Sequence, residues 1–69
     1  MNEPFELRGE TIDLYQLLKA SGACGSGGEA KRVIEAGLVK VDGKLESRKA
    51  CKIRSGQVVE FNGETIKVA

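Results

Sequence analysis

Apolar positions recur along this chain first at helical and then at alternating spacing. Leu14, Leu17 and Leu18 stand at i, i+3, i+4, with Ser21 extending the stripe, and Ala30, Val33 and Ile34 repeat the spacing. Each set predicts a helix with one buried face. From Val39 the period drops to two. Val39 and Val41 flank Lys40, Val59 and Phe61 flank Glu60, and Ile66 and Val68 flank Lys67. Such alternation marks half-buried strands. Asp13 with Gln16, and Ser26 with Glu29, have the spacing of capping boxes. Ile12 and Leu17 are placed as a hydrophobic staple on the first helix. Gly22 and Gly37 follow the two apolar stripes, where a left-handed residue ends a helix. Asp42-Gly43 and Asn62-Gly63 are two-residue hairpin signals. The pattern predicts two short helices, joined by Ala23–Gly25 and packed on each other, then about four short strands. That is an α+β fold with a small, mainly antiparallel sheet.

Two stretches carry no such pattern. Residues 46–54 read as an extended basic loop, with Cys51 or Ile53 dipping into the core. Residues 1–10 hold Pro4 and Gly9 as breakers and read as a lead-in, or an edge strand in which Phe5 and Leu7 alternate; residues 11–69 form the domain. Sixty-nine residues make one domain with a thin core, and two Phe, one Tyr and no Trp make that core aliphatic.

Composition then removes functions. There is no histidine, and Cys24 and Cys51 lack ligand partners at metal spacing. GSGG at 25–28 lacks the Lys-Ser/Thr of a phosphate-binding Walker loop. No carboxylates form a recognisable acid/base pair. The expectation is a protein that is not an enzyme, with no cofactor, no metal and no small-molecule substrate. No signal peptide or spanning apolar run occurs, so a cytoplasmic protein with reduced thiols is expected; a Cys24–Cys51 bridge is the lesser alternative.

Net charge is only +1, but it is unevenly placed. Residues 31–54 carry eight Lys or Arg against three acids, a local charge of +5, while residues 1–30 carry −3. A basic surface fits this, and so does a solvated charged hairpin. Gly27 and Gly28 in the first turn of a helix suggest that something approaches the backbone closely there.

Ser26, Ala30, Val33-Ile34, Gly37, Val39-Lys40-Val41, Asp42-Gly43 and Gly56-Gln57-Val58 stand in an order that resembles the S4 RNA-binding domain, or αL motif. The likeness covers roughly residues 11–61. Ser26-Gly27-Gly28-Glu29-Ala30-Lys31 and Glu46-Ser47-Arg48-Lys49 resemble the small stand-alone YbcJ-like bacterial members. Gly27 stands where the family carries an arginine, and Thr11 lies near the place of another, so part of the family's RNA-facing charge is missing. The resemblance implies an S4-like fold and a structured RNA partner, ribosomal or transfer RNA. A monomer with no membrane partner is expected. The expected RNA-binding residues are Ser26, Gly27 and Gly28 through backbone amides, then Lys31, Arg32, Lys40, Lys44, Arg48, Lys49 and Lys52 on one basic face. Arg48 is the first choice for a bidentate phosphate contact. The alternative is a small protein-interaction or ribosome-associated adaptor that turns the same face to an acidic protein.

Overall fold

A computed structural model describes residues 4–69. In chain order the elements are β1 (Ile12–Asp13), α1 (Leu14–Ala20), α2 (Gly27–Glu35), β2 (Val39–Val41), β3 (Lys44–Leu45), β4 (Lys52–Ile53), β5 (Val58–Phe61) and β6 (Glu64–Lys67). One antiparallel sheet has the order β3-β2-β5-β6, and β1 pairs with β4 as a separate antiparallel ribbon. The α+β reading holds. The ribbon is additional to the expected strands, because two residues are too short to display a period.

The second helix begins and ends as its sequence dictates. Glu29 N donates to Ser26 Oγ at 3.2 Å, the expected cap. The other arm of the box differs: Glu29 Oε1 accepts from the Gly25 amide at 2.8 Å, not from that of Ser26. At the far end Gly37 N donates to Ile34 O, and Leu38 N to Val33 O, both at 3.1 Å. This is a Schellman stop, with Gly37 at φ +80°. Gly37→Ala should therefore lower the unfolding free energy by about 1–2 kcal/mol, the cost of a left-handed L-residue. Urea denaturation measures it. Crowding adds little, since a Cβ there would meet only Leu45 Cδ2, at 3.8 Å.

The first helix begins differently from expectation. Asp13 makes no side-chain cap, and Gln16 Nε2 instead donates to the Tyr15 hydroxyl at 3.5 Å. The first-turn amides are met from elsewhere in the chain: Leu14 N donates to Cys51 O at 2.9 Å and Tyr15 N to Lys49 O at 3.1 Å. The 49–51 loop thus caps α1. Asp13 is left to accept from Lys52 Nζ, its directly opposite neighbour in the β1–β4 ribbon.

Both hairpin turns have the expected backbone, with φ +53° and +82° at Asp42-Gly43 and +54° and +78° at Asn62-Gly63. Asp42 also ties its turn to β5. Its carboxylate accepts from Gln57 Nε2 and Val58 N, each at 3.0 Å, and these bonds hold its pKa below the ordinary value.

The core is aliphatic: Leu14, Leu17, Leu18, Ala30, Ile34, Val39, Val41, Ile53, Val59 and Val68, with Cys24. Phe5, Tyr15 and Phe61 are half-buried against it, as is Ile12, the staple partner of Leu17. Ile53, and not Cys51, is the fully buried residue of the basic segment. Ser21 does not extend the Leu stripe: it is the exposed C-cap, its hydroxyl donating to Leu18 O. Phe5 exchanges backbone bonds with Lys67 and Ala69 and forms a parallel bridge to Val68, so the start of the described chain runs beside its end. Residues 1–3 of the expected lead-in lie outside the described residues.

Candidate nucleic-acid interface

Gly27, Lys31 and Glu35 follow one another at i, i+4 and therefore share one side of α2. A Cβ on Gly27 would lie 3.8 Å from Tyr15 Cδ2. The group that approaches the glycine backbone is thus the protein's own tyrosine ring. Lys31 Nζ stands 4.7 Å from the centre of that ring. One turn on, Glu35 Oε2 accepts from Lys49 Nζ at 3.0 Å. Tyr15 joins the two helix starts to the loop, since its amide is bonded to the Lys49 carbonyl.

The loop after β3 supplies the cations. Residues 47–52 and Glu35 line one shallow concavity. Arg48 grips Glu46 side-on: Nε donates to Oε2 at 3.0 Å and Nη2 to Oε1 at 3.3 Å, while the Arg48 amide donates to Oε2 at 3.0 Å. Glu46 uses one edge of the guanidinium and leaves the Nη1 donors for another acceptor. These bonds from Arg48 lower the Glu46 pKa to about 2.

The three ion pairs among the described residues are Arg48–Glu46, Lys49–Glu35 and Lys52–Asp13, and they take their cations from this loop and from the first residue of β4 after it. In two of them the carboxylate is the hidden partner. Arg48 is 77% exposed against 17% for Glu46, and Lys52 63% against 22% for Asp13. The carboxylates therefore fix the cations while leaving them facing solvent. The Asp13 carboxylate also raises the Lys52 pKa.

A pH prediction follows for Glu46. Its folded pKa lies below the ordinary value, so its pairing contributes fully above about pH 4.5 and is lost as pH falls towards 2. A carbon-13 carboxyl titration should show Glu46 half-protonated near pH 2, with the Arg48 amide moving in step. Titration at an ordinary pH near 4.5 would mean that the grip on Arg48 is absent.

Cys51 lines the same concavity, but its pKa is raised, first by burial and then by the Glu46 charge. Burial likewise raises that of Cys24. Both are free thiols without the lowered pKa of a reactive cysteine. Among the described residues no group of His, Cys, Asp or Glu is arranged to hold a metal, and no helix is long and apolar enough to cross a membrane.

The expected site residues do not all meet. Lys40 is opposite Leu45 and Glu60 in its ladders, whereas Lys44 is opposite the buried Val41. Neighbouring positions on a strand point to opposite faces, so Lys40 and Lys44 are on different sides of the hairpin and cannot share a single face. Lys40 belongs to an outer row with Leu45, Glu60 and Thr65. Arg32 and Gly28 are exposed on α2, while Ser26 is exposed with its hydroxyl occupied by the Glu29 amide. Sequence reasoning missed Tyr15. The signal was faint: an aromatic beside Leu14 but off the Leu14–Leu17–Leu18 stripe.

Two packed helices, the first capped at its start by a basic loop that follows a tight hairpin, make this an αL-type fold. The S4 domain family profile matches residues 5–69, and the chain belongs to the S4 domain family. It is 49% identical over 57 residues to YbcJ of Escherichia coli (strain K12), a protein whose name assigns it provisionally to RNA binding; the match spans 83% of this chain and 81% of that one. The solution structure of YbcJ, described as revealing an αL motif involved in RNA binding, superposes with a TM-score of 0.75 at 45% identity, over 96% of this chain and 85% of that chain. The 30S ribosomal protein S4e of Thermoplasma acidophilum gives 0.63 at 32% identity, over 84% of this chain and 31% of that chain. Tyrosine–tRNA ligase of Ralstonia nicotianae is 48% identical over 54 residues, 78% of this chain but 14% of the ligase. That likeness reaches only an S4-sized part of the enzyme.

Proposed function

We propose that this protein is a non-catalytic binder of structured RNA, ribosomal or transfer RNA, acting as a cytoplasmic monomer. The observation that carries the proposal is the set of three exposed cations between residues 48 and 52, held between the start of α1 at Asp13 and the end of α2 at Glu35. Family membership supports it, as do a ribosomal protein and a tRNA ligase among the relatives. Arg48, Lys49 and Lys52 meet phosphates, Lys31 and Arg32 continue the contact along α2, and Lys44 extends it at the hairpin. The amides at Ser26, Gly27 and Gly28 offer donors to one further phosphate. Lys40, on the other side of the hairpin, is not included. Folded RNA presents phosphates and 2′-hydroxyls at fixed spacing, and a rigid array of cations can read that shape.

An amide-shift titration with a structured ribosomal or transfer RNA fragment tests this. Shifts should cluster at 26–32 and 44–52. Replacing Arg48 and Lys49 together by Gln should weaken binding roughly tenfold or more, as expected for losing two charged hydrogen bonds, with the spectrum of the fold intact. Unchanged affinity in that variant would move the site elsewhere. One observation favours a protein partner instead: Leu38 and Leu45 are exposed at 57% and 62%. Partners that survive RNase, retained through those leucines, would replace the RNA reading.

A further inference from the structure

We infer that Tyr15 and Lys31 form a site for one unpaired nucleotide. The base stacks on the tyrosine ring, and Lys31 pairs with that nucleotide's phosphate. The inference deepens the RNA reading and rests on it.

Four observations meet at Tyr15. Its ring is half-buried and so keeps an accessible part. The ring lies against Gly27, where a Cβ would be in ordinary contact with it, so one part of the ring is seated on the start of α2. Its backbone is clamped, with the amide bonded to the Lys49 carbonyl, and it begins a helix whose next inward residues, Leu17 and Leu18, are fully buried. Finally, a solvent-exposed ammonium stands over the ring at 4.7 Å. A rigid aromatic beside an exposed cation is what base stacking with phosphate contact requires. The ring supplies an apolar face, and Lys31 supplies the cation over it.

The contact of Lys31 with the ring makes the site exchangeable. In the free protein the ammonium occupies the ring face by cation–π attraction, which is weak for an exposed lysine. An arriving nucleotide offers both partners something stronger: a base for the ring and a phosphate for the lysine. Bases held in a duplex are stacked on one another and cannot make this exchange, so the site selects RNA with an unpaired nucleotide beside its helix.

The chain has one tyrosine, so 3-fluorotyrosine places a single fluorine label at this position. The full chain is titrated with an RNA hairpin, with the blunt duplex of the same stem, and with a short oligouridylate, while amides of Arg48 and Lys49 are followed in parallel. The hairpin and the oligouridylate should displace the fluorine signal, and the duplex should not. Tyr15→Leu should erase the preference for hairpin over duplex, a loss of roughly five- to a hundredfold for one stacked base. Tyr15→Phe should keep it. Lys31→Met, which leaves the ring in place, should weaken hairpin binding while the fluorine displacement persists.

If the Arg48 and Lys49 amides respond to hairpin and duplex alike while the fluorine signal stays still, the nucleotide site is overturned and the RNA reading stands. An equal fluorine response to the duplex overturns it too. If neither RNA moves any signal, the RNA reading fails. The oligouridylate then decides Tyr15 by itself, a still fluorine signal ruling the site out.

Discussion

Ile53→Ala should cost this domain about 2–5 kcal/mol, the usual range for emptying a buried isoleucine site. Ile53 is fully buried and opposite Ile12 in the β1–β4 ribbon. A folded chain of this length commands only about 3–10 kcal/mol in total, at the common per-residue stability. The substitution therefore consumes much of the margin. Its effect should also be uneven. Ile53 anchors the far end of the segment whose Lys49 and Cys51 carbonyls cap α1, and whose Arg48, Lys49 and Lys52 are the candidate contacts. Hydrogen exchange should show the amides of Leu14 and Tyr15 losing protection before those of β5. Urea denaturation gives the total. A loss below about 1 kcal/mol would mean that the neighbours collapse into the space. Uniform loss of protection would mean that the ribbon and the sheet unfold as one unit.

The same loop marks the boundary of what could be read from the sequence. Features whose partners are local were legible. Ser26 with Glu29, Gly37 after Ile34, and the Asp42-Gly43 and Asn62-Gly63 turns all close within a few residues, and all stand where the pattern puts them. The start of α1 shows the opposite. Asp13 and Gln16 have capping spacing, but the carbonyls of Lys49 and Cys51 reach the first-turn amides instead. Nothing near Asp13 announces partners so far along the chain. Freed from capping, its carboxylate takes Lys52.

The candidate site divides in the same way. The cations could be picked out by charge. Their carboxylates could not: Glu35 is distant in sequence from Lys49, as Asp13 is from Lys52. Spacing along the hairpin also misled for Lys40 and Lys44, because facing is set by strand register and not by separation around the turn. Tyr15 required the packing of α1 on α2 before its place beside Gly27 and Lys31 could be seen.

Salt should act strongly on complex formation. If about five phosphates are neutralised, log K falls against log salt with a slope of roughly −3.5 to −4.5, by the factors for single and double strands. Between 50 and 200 mM salt that slope is a loss of about 10²-fold or a little more. The built-in pairs make this a sharper test than charge counting. Arg48, Lys49 and Lys52 each hold a carboxylate already, so a phosphate shares them with Glu46, Glu35 or Asp13. Exposed pairs of this kind are worth little in water, so sharing should leave most of the counterion release intact. Replacing Glu35 by Gln removes one competitor and should tighten binding at low salt, with the gain shrinking as salt rises. Fluorescence anisotropy of a labelled RNA, measured at four or five salt concentrations, gives both slopes. A wild-type slope near zero would show that phosphate contacts do not drive binding, and the basic loop would lose its role. A slope in the expected range with no response to Glu35→Gln would leave the loop in place, but would show that Lys49 binds RNA independently of its carboxylate.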